Sequence, residues 1–223
     1  MRYEATRSRV EDYFDRTATK TWERLTSDAP VSKIRETVRQ GRDQMRERLL
    51  ARLPSDLTGR RILDAGCGTG MVTEIMAARG AEVVAVDISP QLVEIARSRL
   101  TPGLAARVTF HAGDMLSADL GRFDHVLAMD SLIYYHAHDI RNALSVLGER
   151  TQENIVFTVA PRTPLLMMMW NAGKLFPRAD RSPTMIPHAP KSLSRELEDI
   201  GTLADLGRVS KGFYISQALE FRV

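Results

Sequence analysis

Ile62-Leu63-Asp64-Ala65-Gly66-Cys67-Gly68-Thr69-Gly70 reads as a buried strand, a glycine turn and the approach to a helix. A second apolar run follows, Glu82-Val83-Val84-Ala85-Val86-Asp87, and it ends on an acid. In an open α/β sheet this pairing holds a nucleoside. Glycines let the backbone approach the ligand, and the downstream carboxylate accepts from ribose hydroxyls. The stretch predicts a nucleotide-like ligand at the carboxyl end of a strand.

Outward from this stretch, residues 60–160 alternate strand and helix patterns. Strands are predicted at 61–65, 82–87, 107–112, 123–129 and 154–159, with helices at 71–79, 90–100 and 139–149. Pro90 stands at a helix start behind Ser89 as N-cap, and Asp139 is placed to cap the third helix. Such alternation predicts an α/β fold with a doubly wound, mostly parallel sheet covered on both faces. A further helix at 192–200 precedes strand-like stretches near 203–209 and 213–222, joined through Ser210-Lys211-Gly212. An antiparallel hairpin at the sheet edge brings the count to seven strands.

Two regions break the pattern. Residues 1–59 read as helical, with Val10, Tyr13, Phe14, Thr17 and Thr21 near one face and Trp22 and Leu25 behind. Ile34, Val38, Met45 and Leu49 recur at helical spacing, and Arg35, Arg39, Arg42 and Arg46 form an adjacent basic stripe. Residues 161–191 carry Pro161, Pro164, Pro177, Pro183, Pro187 and Pro190 around Leu165-Leu166-Met167-Met168-Met169-Trp170. One helix and an extended loop are expected there. The implied organisation is an N-terminal helical substrate or lid region at 1–59 and a ligand-binding domain at 60–223. Within the latter, 161–191 forms a lid-like, substrate-side insertion after the fifth strand.

The 223 residues suit one domain with such an appendage, and 43% apolar content is enough for a sizeable core. Thirty-one basic and 28 acidic residues leave a net charge of +3, an ordinary solvated surface. With no aromatic-basic tract beside this modest charge, nucleic acid is a disfavoured partner. The single cysteine, Cys67, excludes an internal disulfide and fits a reducing compartment. No apolar run approaches the roughly 20 residues that span a bilayer. A cytoplasmic location is expected, with peripheral membrane contact left open.

The glycine spacing narrows the ligand. From Gly66 the pattern is Gly-Cys-Gly-Thr-Gly, so the third glycine comes one residue early for a dinucleotide fingerprint. No Lys-Ser/Thr follows, which disfavours a phosphate-cradling loop. Asp64, two residues before Gly66, puts a carboxylate where a cationic group suits better than a pyrophosphate. S-adenosylmethionine carries an ammonium and a sulfonium and no phosphate. Asp87 is assigned to its ribose, with Ile88 beside it. Asp114 is assigned to the adenine amino group, with Met115 against the ring. Asp130 ends the fourth strand. With Gly66, Cys67, Gly68 and Gly70 these residues make the candidate cofactor set. Cys67 itself reads as a small buried turn residue, having no nearby histidine to activate it.

Four acids at four strand ends, with these glycines, resemble the class I S-adenosylmethionine-dependent methyltransferases over roughly residues 60–160. Other segments are more specific: Glu11-Asp12-Tyr13-Phe14 with Trp22, and Ile34-Arg35-Glu36-Thr37-Val38-Arg39-Gln40-Gly41. Asp130-Ser131-Leu132-Ile133-Tyr134-Tyr135 and Leu175-Phe176-Pro177, then Arg181 and His188, continue the order. Together they resemble the magnesium-protoporphyrin IX O-methyltransferases of chlorophyll and bacteriochlorophyll biosynthesis. The resemblance implies methyl transfer to one propionate carboxylate of magnesium-protoporphyrin IX. It also implies contact with the large subunit of magnesium chelatase; the basic and apolar helical faces leave open a peripheral association, at the photosynthetic membrane.

A metalloporphyrin is a flat apolar disc with two carboxylates on one edge, so it calls for an apolar slot and cationic anchors. Trp170 and Phe176 are the apolar candidates, supported by Met167, Met168 and Met169. Arg35, Arg39, Arg42 and Arg181 are candidate carboxylate anchors, with His188 beside them. A propionate with pKa near ~4–5 is already ionised at neutral pH, so catalysis needs alignment rather than a general base. Many members carry a histidine where this chain has Tyr134, and a tyrosine near Thr26. Tyr134, His136 and Tyr13 are the candidates to orient the acceptor. The five histidines show no metal-ligand pattern, so magnesium belongs to the porphyrin. Two alternatives stay open: methylation of another small acid or quinone precursor, and a non-catalytic cofactor-binding scaffold.

Overall fold

Alternate residues of the first strand, β1 (Arg61–Ala65), face opposite cores. Leu63 and Ala65 join one cluster and Ile62 the other, and period two continues through β2 (Glu82–Asp87), where Val84 and Val86 oppose Val83 and Ala85. A sheet apolar on both faces needs helices on both faces, which the alternating pattern supplies. A computed structural model describes residues 2–15, 26, 32–163 and 183–223. The helix expected around Met167–Trp170 and the candidates Trp170, Phe176 and Arg181 lie outside these residues, as do Thr17, Thr21, Trp22 and Leu25.

The remaining strands are β3 (Val108–Ala112), β4 (Phe123–Ala128), β5 (Thr151–Pro161), β6 (Pro187–His188), β7 (Thr202–Lys211) and β8 (Tyr214–Arg222). The sheet runs β3-β2-β1-β4-β5-β8-β7, and the two-residue β6 pairs alongside β5. The first five strands of this path are parallel, whereas β8 is antiparallel to both β5 and β7. Seven strands thus form the path, with β6 as a short addition. The order reverses between β1 and β4, the crevice where open α/β sheets bind ligands.

Helices α1 (Arg2–Tyr13) and α2 (Lys33–Leu50) precede β1, and α3 (Met71–Ala78) and α4 (Pro90–Arg99) flank β2. Ser89 caps α4 by accepting from the Leu92 N–H at 3.3 Å, with Pro90 in the first turn. Helix α5 (Ala137–Gly148) buries Ile140, Ala143, Leu144 and Leu147 against one face of the sheet, and α6 (Pro190–Leu197) adds Leu193 and Leu197. Met45 and Leu49 of α2 and Val72 and Met76 of α3 cover the other face.

Asp139 does not cap α5. That helix begins two residues earlier than its sequence suggests, with His136 as an N-cap that makes no side-chain bond. Asp139 instead lies buried in the first turn, where the helix dipole favours an acid. The fifth strand also starts early, at Thr151 rather than Asn154. The tail hairpin is registered on α2. A Cβ on Gly41 would come within 2.7 Å of the Tyr214 ring, so only glycine admits this close approach. One turn earlier, Gly212 of the hairpin turn sits on Thr37. Among the described residues no helix is long and apolar enough to cross a membrane.

Candidate active site

The glycine turn is held by backbone geometry. Gly66, Gly68 and Gly70 have φ of 89°, 54° and 82°, the left-handed region that glycine enters without penalty. The N–H groups of Gly66 and Cys67 both donate to the Val86 carbonyl, at 2.8 and 2.9 Å, which ties the turn to the end of β2. The Asp87 carboxylate then accepts from the N–H of Gly68 at 2.8 Å and of Ser89 at 3.0 Å. One bond falls on each oxygen, so each keeps a lone pair for a ligand hydroxyl. The Ser89 hydroxyl meets the Asp15 carboxylate.

A cavity of about 350 Å³ opens above these strand ends. Its wall includes Asp64, Gly66, Cys67, Gly68, Asp87, Ile88, Asp114, Met115 and Asp130. The structure therefore gathers nine of the ten candidate cofactor residues. Gly70 is the tenth and stands apart. It serves α3 as N-cap and packs on α4, where a Cβ would lie 2.9 Å from that of Ala96.

Burial sets the charge of this site. Asp64 accepts from the Thr73 hydroxyl at 2.5 Å. Desolvation outweighs that bond, and with the neighbouring Asp87 it pushes the Asp64 pKa up to about 7. Burial likewise raises Asp87 and the Cys67 thiol, so Cys67 stays protonated. An ionised Asp64 attracts a ligand ammonium and a protonated one does not. S-adenosylmethionine affinity is thus expected to rise about tenfold per pH unit up to about pH 7 and then level, as calorimetric titration at several pH values would show. Asp64→Asn should flatten that profile. The ligand-free fold follows the opposite sign. Its stability falls as pH rises from 3.8 toward about 7, because the folded state holds this proton longer than the unfolded chain.

Asp114 is shared. Its Oδ1 accepts from the Tyr3 hydroxyl at 2.8 Å and from the Leu116 N–H at 2.9 Å, and its Oδ2 accepts from Arg7 at 2.7 Å. One lone pair on Oδ2 therefore remains for a further donor. Tyr3 also stacks on Tyr135 with ring centroids 5.0 Å apart, and Phe14 meets Tyr134 edge-on at 6.4 Å. These contacts lay α1 across the cavity wall.

Asp130 is the one non-glycine residue among those described with positive φ, at 59°. Four hydrogen bonds with three side chains hold it there. Its carboxylate accepts from Arg42 at 2.6 Å, Thr158 at 3.1 Å and Tyr214 at 3.1 Å, and its N–H donates to Thr158 Oγ1 at 2.8 Å. This hub joins α2, β5 and β8 at the cavity floor.

The candidate acceptor residues separate. Tyr134 lines the cavity, while Tyr13 and His136 lie outside its wall, His136 on the exposed cap of α5. Burial, then the Asp130 charge, raises the Tyr134 pKa, so its hydroxyl remains a neutral donor. Of the basic candidates, Arg42 lines the cavity and is bound to Asp130. Arg39 pairs with Glu36 at 3.4 Å, and Arg35 is exposed beyond the wall. His188 is buried with Nε2 2.9 Å from the Tyr135 carbonyl, and burial lowers its pKa. It is a neutral strut rather than a carboxylate anchor. Tyr3, Arg7, Thr73 and Tyr214 have no sequence signal. Each reaches the site through folding alone.

A doubly wound sheet with a carboxylate-rich cavity at its switch point, and a glycine turn without phosphate-loop chemistry, defines a class I methyltransferase. Residues 62–153 match the family described as methyltransferase domain, and residues 128–223 match that described as magnesium-protoporphyrin IX methyltransferase C-terminus. The chain is 60% identical to the magnesium-protoporphyrin O-methyltransferase of Rhodobacter capsulatus, over 99% of this chain and 98% of the relative. It is 31% identical to that of Synechocystis sp., over 95% and 94%. A crystal structure of the Synechocystis magnesium protoporphyrin IX methyltransferase with bound SAH superposes with a TM-score of 0.83 at 29% identity, covering 97% and 99% of the chains. The chain belongs to the magnesium-protoporphyrin O-methyltransferase family.

Proposed function

We propose that the chain transfers a methyl group from S-adenosylmethionine to a propionate carboxylate of magnesium-protoporphyrin IX, forming the monomethyl ester. The observation that carries this is 60% identity along essentially the whole of both chains, the helical extension included. When bound, S-adenosylmethionine supplies a methyl group activated by a sulfonium.

The residues present fit that ligand. Asp64 offers a carboxylate to the ammonium, and each Asp87 oxygen keeps a lone pair for a ribose hydroxyl. Asp114 retains one acceptor site for the adenine amino group, with Met115 in the adjoining wall. The Ser131 hydroxyl, beside the glycine turn, is buried with no hydrogen-bond partner among the described residues, a further donor for the ligand.

The acceptor carboxylate is ionised at neutral pH and is itself the nucleophile, so no residue need remove a proton. The chain supplies orientation and a dry site. Tyr134 donates a neutral hydrogen bond to the carboxylate, and α1 with the Phe14 that follows it excludes water through Tyr3, Arg7 and Phe14. Tyr134→Phe is expected to lower kcat about tenfold, the scale of one hydrogen bond to a charged group, while His136→Ala stays within about twofold. Incubation with magnesium-protoporphyrin IX and S-adenosylmethionine, followed by mass analysis of the pigment, tests the function. Absence of the monomethyl ester would refute it.

Delivery by the large subunit of magnesium chelatase and peripheral contact with the photosynthetic membrane complete this proposal. The hydrophobicity of the pigment supports both, since free release of such a product into water is unfavourable.

A further inference from the structure

Five large hydrophobic side chains are exposed among the described residues: Ile34, Met71, Met185, Phe213 and Val223. Scattered singly they would need no explanation. Four of them, all but Val223, are not scattered. Met71, Met185 and Phe213 all line the one cavity described above, and Ile34 stands one helical turn from Val38, which also lines it. Phe213 is 69% exposed at the tip of the β7–β8 hairpin. Its placement is fixed on both sides, by Gly212 on Thr37 and by Tyr214 beneath Gly41. An aromatic ring is thus held toward water on a rigid turn, continuous with the ligand cavity.

Charge accompanies this rim. Arg35, Val38 and Arg42 fall three and four residues apart on α2, hence on one face, and the last two line the cavity. Arg35 therefore continues that face outward from the mouth. It is exposed and has no ion-pair partner among the described residues.

We propose that Phe213, with Met185 and Ile34, is the platform on which one face of the magnesium-porphyrin ring rests, and that Arg35 holds the propionate that is not methylated. This rests on the function proposed above and adds the residues that select the acceptor. An apolar disc covers an exposed ring that water cannot solvate well, and a guanidinium at the disc's edge matches a carboxylate there. Asp64 and Asp87 are buried where Phe213 is exposed, so the platform governs the pigment and leaves the methyl donor untouched.

Phe213→Ala should raise both the Kd for magnesium-protoporphyrin IX, read from the Soret band, and its KM about tenfold, the scale of one aromatic ring partly buried on binding. The Kd for S-adenosylmethionine should stay within about twofold. Phe213→Leu should recover most of the affinity. Val223→Ser, which removes an exposed side chain outside the cavity, serves as control. Unchanged pigment affinity in Phe213→Ala would overturn the inference, as would an equal loss of methyl-donor affinity or a loss confined to binding lipid vesicles. The wild-type chain is assayed first. If it forms no ester, the function fails. If it forms ester and Phe213→Ala binds pigment normally, only the platform fails.

Discussion

Gly66→Ala is expected to lower stability by about 3 kcal/mol, or about 10 °C in Tm, and to abolish S-adenosylmethionine binding. Two costs add. At φ 89° a Cβ carries left-handed strain of about 1–2 kcal/mol. That Cβ would also lie 2.4 Å from the Cβ of Ser131, so the residue after Asp130 has to move. Gly68→Ala separates the two effects. It carries the same class of strain at φ 54° but meets nothing within 4 Å. Thermal melts should show it losing about half as much as Gly66→Ala. A Gly66→Ala protein that melts like wild type and still binds S-adenosylmethionine by calorimetry would contradict the packing of the turn on Ser131.

Asp130→Ala is expected to cost about 3–4 kcal/mol and nearly all methyl transfer. Removing the carboxylate breaks its ion pair with the Arg42 guanidinium, whose side chain is only 19% exposed, and takes an acceptor from the Tyr214 hydroxyl. It also puts alanine at φ 59°. Asp130→Asn isolates the charge, because asparagine tolerates left-handed backbone nearly as well as aspartate. It should lose about 1–2 kcal/mol, and its chemical denaturation midpoint should fall between those of wild type and Asp130→Ala. Equal midpoints for the two variants would mean that backbone strain contributes nothing at this position.

What the sequence reveals follows the range of the interaction. Asp64, Asp87, Asp114 and Asp130 are each legible because a strand end and its following turn are written in neighbouring residues. Period-two burial and the 3.6-residue spacing of α5 are local in the same sense. The start of α5 is not, since His136 opens it through backbone conformation alone and leaves no capping signature. Tyr3 and Arg7 reach Asp114 across 111 and 107 residues. Tyr214 reaches Asp130 across 84. No spacing rule connects such pairs. Arg35, Arg39, Arg42 and Arg46 look equivalent as a stripe, yet only Arg42 and Arg46 line the cavity, because the α2 rotation is set by Gly41 fitting over Tyr214.

The double use of Asp114 has a consequence for how this enzyme can change over generations. One carboxylate anchors the N-terminal helix and offers its last acceptor site to the proposed adenine position. A mutation that retunes one task perturbs the other. Positions 3, 7 and 114 are therefore expected to be inherited as a block, with lineages exchanging all three together or none.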